Sequence, residues 1–178
     1  MKLALSVVVL IVVLVALITV FVKGCSTEAF VLDYEKMIFL DAEALAEGGI
    51  GEKYSCDVAP ALSQYVSTTA DINETFDTSN GSYVVESQGQ TYVIFSPGMD
   101  ISEGQNWGNA MFALFDIVNC QLRESDYEFY AINGGNDLGG MFLTHDIYMQ
   151  ATKEYKNRSD WSYLPKLEHP WYGQPHDK

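Results

Sequence analysis

The chain has 178 residues, with 24 Asp and Glu against 10 Lys and Arg, and a formal net charge of −14 at pH 7. Such an acidic surface repels nucleic acid and anionic lipid headgroups, which excludes both as expected ligands. The sequence contains no internal repeat and no low-complexity tract, so an ordinary folded domain is expected.

The first element in the chain is an apolar stretch, residues 3–22, which only Ser6 and Thr19 interrupt. A twenty-residue helix spans about 30 Å, the thickness of a bilayer hydrocarbon core. The stretch is also longer than the apolar part of a usual cleaved signal peptide. The sequence therefore predicts that residues 1–24 are a signal peptide or a transmembrane anchor, and both alternatives export the rest of the chain.

The motif Val22-Lys23-Gly24-Cys25 resembles the lipobox of bacterial lipoproteins, although Lys23 occupies a position where a small residue is usual. The resemblance implies that Cys25 receives a lipid. The alternative is an anchor that stays in the membrane with Cys25 unmodified. Under both, we expect a bacterial envelope protein that is membrane-anchored, faces the periplasm, and is joined to its anchor by a short linker at residues 25–32.

Helices and a meander are predicted next. Asp41 is suited to cap a short helix over residues 42–47, which the glycine pair after it would end. A second helical stretch over residues 50–66 must break or kink at Pro60. Alternating apolar residues then predict three antiparallel strands at about 72–76, 83–85 and 91–95, and the Asn-Gly pair at residues 80–81 predicts a tight turn.

A long core helix follows, and its start is marked by the capping-box spacing of Ser102 and Gln105. Beyond its end at about Leu122, the sequence predicts a hairpin of strands 127–132 and 138–143, a helix capped by Thr144, and an aromatic and proline-rich tail at residues 158–178. Residues 33–178 are thus expected to form one α+β domain, in which an antiparallel sheet (three-strand meander plus a hairpin) packs against helices.

The predicted hairpin loop is the most distinctive stretch of the chain. Residues 134–138 (GGNDL) resemble one unit of the calcium-binding nonapeptide repeats of RTX proteins, but one copy supplies only half a calcium cage. A loop whose glycines take positive φ is the alternative. Two further glycines inside the next strand predict a bulge or a close approach of another chain. The hairpin is therefore our first choice for a binding surface, through Asn136, Asp137, Gly139 and Gly140.

Four other side chains complete the expected binding set. Asp100 and Glu103 are carboxylates beside the start of the core helix. Trp171 and Tyr172 lie among the prolines of the tail, where they either pack across the domain or form an exposed aromatic epitope.

Cys56 and Cys120 are the candidate disulfide pair if Cys25 carries a lipid. The bridge would stabilise the fold by about 4 kcal/mol through chain entropy. The alternative is that Cys120, in an apolar helix, is a free thiol that packs as a small hydrophobe.

Catalytic motifs are missing from the sequence: it contains no zinc-protease His pair, Cys-x-x-Cys, Gly-x-Ser-x-Gly, Ser-x-x-Lys or P-loop. We therefore predict no catalytic residue, no metal site and no cofactor. His145 with Asp146 could serve a nucleophile, but an exposed histidine in a first helical turn is the alternative.

The export signal and the acidity together favour a binding function. Past Cys25 the chain is about 16 charges negative, which fits a basic partner. In size, anchoring and acidity it resembles immunity proteins that neutralise toxins in the periplasm. That resemblance implies that Asp100, Glu103 and Asp137 pair with Lys or Arg of a basic toxin or another envelope component. Two alternatives stay open: an envelope lipoprotein hydrolase acting on cell-wall or carbohydrate substrate, and a structural lipoprotein of an envelope assembly.

Overall fold

Two antiparallel sheets and one long helix build the fold in the computed structural model, which describes residues 30–176. The expectations for a signal peptide or anchor and for a lipid on Cys25 lie outside these residues. Within them, no helix has both the length and the apolar character that a membrane crossing requires. The elements are, in chain order, β1 (Ile38–Phe39), α1 (Ala42–Ala44), α2 (Ile50–Lys53), α3 (Ala59–Leu62), β2 (Asn73–Asp77), β3 (Ser82–Ser87), β4 (Gln90–Phe95), α4 (Glu103–Gln121), β5 (Tyr127–Ile132), β6 (Gly139–Thr144) and α5 (His145–Glu154).

The two sheets have three strands each, and the strand orders are β2-β3-β4 and β1-β6-β5. The predicted meander and hairpin are both present, so the α+β class is confirmed. The sequence analysis missed the short strand β1, which pairs with β6 at Gly139 and Gly140. No strand of the meander pairs with a strand of the hairpin, so the described residues form two separate sheets where the sequence suggested one.

The helical segment between β1 and β2 alternates α-helical turns with two π-helical turns, at Leu45–Gly49 and Tyr54–Val58. Asp41 caps α1 as predicted, since its Oδ1 accepts hydrogen bonds from the backbone N–H groups of Glu43 and Ala44 at 3.0 and 3.2 Å. Gly48, with φ of 100°, breaks the segment where the glycine pair predicted an end. The predicted stretch to residue 66 is too long, because α3 ends at Leu62. Pro60 lies in the first turn of α3, directly after the π-helical turn Tyr54–Val58, and the backbone stays helical through it, so Pro60 does not end the segment as expected.

The long helix α4 is the centre of the core, as its apolar pattern predicted. Its capping box is formed, with the Ser102 N–H donating to Gln105 Oε1 at 2.7 Å. Eight of its residues are buried against β4, β5 and the helical segment: Gly108, Ala110, Met111, Ala113, Leu114, Phe115, Ile117 and Val118.

The outer edge of β5 is covered by hydrogen bonds from two different elements. Asn119 of α4 binds the main chain of Phe129 through both halves of its amide, at 3.0 Å to the carbonyl oxygen and 2.7 Å from the N–H. Two residues further on, Ala131 exchanges two main-chain hydrogen bonds with Tyr163 of the tail, at 2.8 and 3.0 Å. Alternate residues of a strand face the same edge, so the two contacts together close an edge that would otherwise be open for strand pairing.

The two cysteines expected to pair are both free thiols in the structure. Cys56 is exposed and lines a hollow with Leu40 and Leu45, whereas Cys120 is half-buried and lines a different hollow with Tyr65. The disulfide expectation is corrected accordingly, because the two side chains belong to different surfaces of the domain.

Candidate functional site

Three segments that the sequence analysis singled out meet around one hollow of about 310 Å³. These segments are the start of α4, the loop between β5 and β6, and the aromatic tail. The hollow is lined mainly by aromatic rings and glycines: Ala42, Gly104, Trp107, Gly108, Met111, Gly134, Gly135, Tyr163, Pro170, Trp171, Tyr172 and Gln174. We call it the aromatic hollow.

Tyr172 fixes the tail against α4. Its ring lies so close to Gly108 that a Cβ at that position would overlap the ring carbons. The tail holds this position through its own backbone, since the Tyr172 N–H donates to the Glu168 carbonyl and the Tyr172 carbonyl accepts from the Lys166 N–H, both at 2.8 Å. A glycine on the helix is therefore required for one wall of the hollow.

The loop between β5 and β6 forms a second wall. Gly135 has φ of 59°, as the hairpin-loop alternative predicted for the loop glycines, whereas Gly134 is extended, and the residues Gly135–Asp137 form a 3-10 turn. The Nδ2 group of Asn136 donates to Glu43 Oε2 at 3.1 Å, which ties the loop to α1.

The polar side chains of the hollow carry both hydrogen-bond donors and acceptors. The Tyr163 hydroxyl donates to the Asn133 carbonyl at 2.6 Å, and Gln174 Nε2 uses one of its two N–H groups to donate to the Ser159 carbonyl at 3.1 Å. The Gln174 Oε1 atom faces Gly134, and the buried Tyr172 hydroxyl oxygen has no partner within the described residues. Burial raises the pKa of Tyr163 and of Tyr172, so both phenols are neutral at physiological pH.

Trp171 forms the exposed rim of the hollow. Its side chain is 55% exposed, and its ring lies 3.7 Å from the ring of His176. Leu167, in the same tail, is 58% exposed. Large apolar side chains that stay exposed beside a concave site are typical of binding surfaces.

Carboxylates border the aromatic hollow on the side of α1 and continue away from it. Asn136 contacts Glu43, as described, and at the other end of the helical segment Glu74 lies against Gly51 and accepts a hydrogen bond from the Tyr83 hydroxyl. The helical segment carries two more exposed carboxylates, Glu47 between these contacts and Glu52 directly after Gly51. The five residues form what we call the acidic strip: Asp137, Glu43, Glu47, Glu52 and Glu74.

The structure places six of the eight predicted binding residues on the surface. Trp171 and Tyr172 line the hollow, and Asn136 and Asp137 are exposed directly after the lining residue Gly135. Glu103 is exposed and precedes the lining residue Gly104. Asp100 is exposed in the loop before α4, but it does not line the hollow.

The two remaining residues, Gly139 and Gly140, are buried in the sheet and cannot contact a partner. The expected close approach does exist, but it comes from within the domain. The side chain of Met37 lies against Gly139, and the ring of Phe129 lies against Gly140.

The sequence analysis missed part of the lining. Trp107, Gly108 and Met111 of the core helix and Gln174 of the tail were not among the expected binding residues. One signal was present: Gly104 and Gly108 are four residues apart, so they lie on one face of the helix, where their missing side chains leave room for another element.

His145 does not line the aromatic hollow or the three other hollows of 380, 420 and 460 Å³. It is exposed in the first turn of α5, and its ring centroid lies 6.0 Å from that of Tyr148. Among residues 30–176 no group of three or more His, Cys, Asp or Glu is placed to hold a metal ion.

Comparisons of this chain with protein-family models, with curated proteins and with solved structures found no match.

Proposed function

We propose that this chain is a membrane-tethered periplasmic binding protein of the immunity or inhibitor type, and that its acidic surface neutralises a basic partner. The observation behind this proposal is the large excess of carboxylates without cationic neighbours. Residues 30–176 contain 22 Asp and Glu against seven Lys and Arg.

Internal ion pairs use few of these carboxylates. Within the described residues, Lys36 pairs with Asp33 and Lys53 pairs with Asp57, each at 2.8 Å. Three other carboxylates accept hydrogen bonds from tyrosine hydroxyls, and these are Glu74, Asp116 and Glu128. Most of the negative charge therefore faces solvent and is available to a partner.

An acidic surface of this kind acts first on the rate of association. Opposite charges on the partner steer the encounter and can raise the association rate by orders of magnitude at low salt. Added salt screens this attraction over about 10 Å at 0.1 M. The proposal therefore requires association that slows steeply as salt is added, while dissociation changes little.

The tethering part of the proposal rests on the apolar residues 3–22 and on the resemblance of the Val22–Cys25 motif to a lipobox. Two reporter fusions after Lys178 test it. Alkaline phosphatase is active only outside the cytoplasm, and the fluorescent protein is chosen to be active only inside it. We expect activity from the phosphatase fusion. Activity from the fluorescent fusion alone would contradict export.

The binding part is tested with the full-length chain, purified in mild detergent and immobilised. Periplasmic and secreted proteins are passed over it, and the association rate of each captured protein is measured across a sodium chloride series. We expect a basic partner whose association slows with salt. An association rate that does not change with salt would contradict the proposal.

Two charge variants sharpen this test. Glu47→Gln with Glu52→Gln removes two charges from the acidic strip and should slow association and flatten its salt dependence. Glu154→Gln with Asp160→Asn removes two charges outside the strip and is the matched control. Equal effects of the two double variants would argue against the strip as the contact surface.

A second candidate, a structural lipoprotein of an envelope assembly, is favoured by the exposed side chains of Trp171 and Leu167. A constitutive membrane partner recovered from detergent extracts, with binding that does not depend on salt, would support this candidate over the first.

A further inference from the structure

We infer that the aromatic hollow receives an arginine side chain of the basic partner. This inference rests on the proposed function and assigns the contact that would anchor the partner. At about 310 Å³ the hollow lies at the lower end of the range for ligand pockets, which suits one long side chain better than a larger cofactor.

The lining favours a cation with an apolar stem. The rings of Trp107, Trp171 and Tyr172 all line the hollow, and a guanidinium group that lies over such faces is attracted by their negative π-surface. Met111 and the glycines offer apolar surface to the methylene groups of the side chain. No Lys or Arg is among the lining residues, so the hollow contains no cation of its own.

The free polar atoms also match a guanidinium group. Arginine has five N–H donors and no acceptor. Gln174 Oε1 accepts no hydrogen bond from the described residues, whereas the Tyr163 hydroxyl and one N–H of Gln174 Nε2 donate to main-chain carbonyls. The Gln174 Oε1 atom can therefore accept a hydrogen bond from a guanidinium group in the hollow.

Charges next to the hollow act in the same direction. The lining residue Ala42 precedes Glu43 of the acidic strip, and Asp137 follows the lining residue Gly135 by two positions. The start of α4 has the opposite preference, because a helix N-terminus favours anions. Glu103 lies in that first turn and opposes the preference with its own negative charge.

The test uses the full-length chain in detergent and a fluorescently labelled peptide of alternating glycine and arginine, with binding followed by fluorescence anisotropy. Peptides with citrulline or glutamate in place of arginine are the ligand controls. Citrulline keeps the shape of arginine but is neutral. We expect binding of the arginine peptide only.

Two variants locate the contact. Trp171→Leu removes an aromatic face and should weaken binding of the arginine peptide about 3- to 10-fold. The salt dependence of peptide binding by this variant should equal that of the unchanged chain, because no charge is altered. Gly104→Leu fills the hollow, since no atom lies within 4 Å of a Cβ placed there, and should weaken binding at least as much. Phe39→Leu is the control, because Phe39 is 54% exposed but does not line the hollow.

The outcomes separate this inference from the proposed function. Salt-dependent binding that Trp171→Leu and Gly104→Leu leave unchanged would overturn the arginine site but keep the acidic surface as the contact. Tighter binding of the glutamate peptide would also overturn the site. Absence of salt-dependent binding by the arginine peptide would count against the proposed function itself. Thermal unfolding of each variant checks that it is folded. If Trp171→Leu does not fold, Gly104→Leu still tests the site.

Discussion

Asn119 should be one of the most sensitive polar residues of the domain, and Asn119→Ala tests this. Its amide donates to the Phe129 carbonyl and accepts from the Phe129 N–H. Phe129 is fully buried, and its ring stacks on Phe115 at 4.7 Å and contacts Phe142 at 4.6 Å between centroids. Water therefore has poor access to the main-chain groups that the substitution leaves without partners.

The expected loss of stability arises because the substitution removes the side-chain partner of two hydrogen bonds and leaves both main-chain groups of Phe129 in place. A typical intramolecular hydrogen bond contributes about 1 kcal/mol, but a buried group left without a partner costs about 1–3 kcal/mol. With partial relaxation of the strand edge, Asn119→Ala should lower the free energy of unfolding by about 2–4 kcal/mol. Asn109→Ala on the same helix is the matched control, because Asn109 makes one hydrogen bond, from Nδ2 to the Ile94 carbonyl at 3.0 Å.

Urea unfolding of the full-length chain, followed by tryptophan fluorescence, measures both variants. The side-chain atoms removed are the same, so the effects of lost packing largely cancel between the two variants. We expect Asn119→Ala to be less stable than Asn109→Ala by about 1–2 kcal/mol. Equal stabilities, or a loss below about 0.5 kcal/mol for Asn119→Ala, would refute the claim that this amide closes the edge of β5.

Three further predictions concern packing, pH and thiol accessibility. Gly140→Ala should destabilise the domain by about 1–3 kcal/mol in urea unfolding, because its methyl group would overlap a buried phenyl ring, whereas Gly104→Ala in open space should have no such cost. Burial raises the pKa of Tyr163, so its contribution to stability is fully present below pH about 10 and is lost as pH rises toward the folded-state pKa; Tyr163→Phe should make this alkaline decline of the unfolding free energy shallower. In a Cys25→Ser background, Ellman's reagent should detect two thiols without added reductant, with Cys56 reacting before the less exposed Cys120; a chain with no titratable thiol would contradict the free cysteines.

Local patterns predicted most of the fold because each depends on residues close in sequence. Contacts with nearby backbone groups determine the capping box of Ser102, the cap at Asp41 and the alternation of the strands. The strand β1 escaped prediction, because two residues are too short to show a period. Its pairing with β6 depends on glycines about 100 residues away, to which no local pattern refers.

The site was only partly predictable for the same reason. Composition indicated the acidic surface and the unusual tail, and the glycines of the hairpin loop indicated a turn. The packing of Tyr172 against Gly108 joins residues 64 positions apart, and only the folded chain brings them together. The pair Gly139 and Gly140 misled the analysis, because a glycine in a strand shows that something approaches closely but not whether it comes from the same domain.

The tail performs two separable tasks. Tyr163 bonds to the main chain of β5 and so belongs to the sheet, and it is 4% exposed. Trp171, eight residues later, is half-exposed and completes only the rim of the aromatic hollow. Because one residue secures the fold and the other faces solvent, a change at Trp171 can alter binding without the loss of stability that a change at Tyr163 brings. Under the proposed function, this separation lets the tail contribute to recognition at little cost to the core.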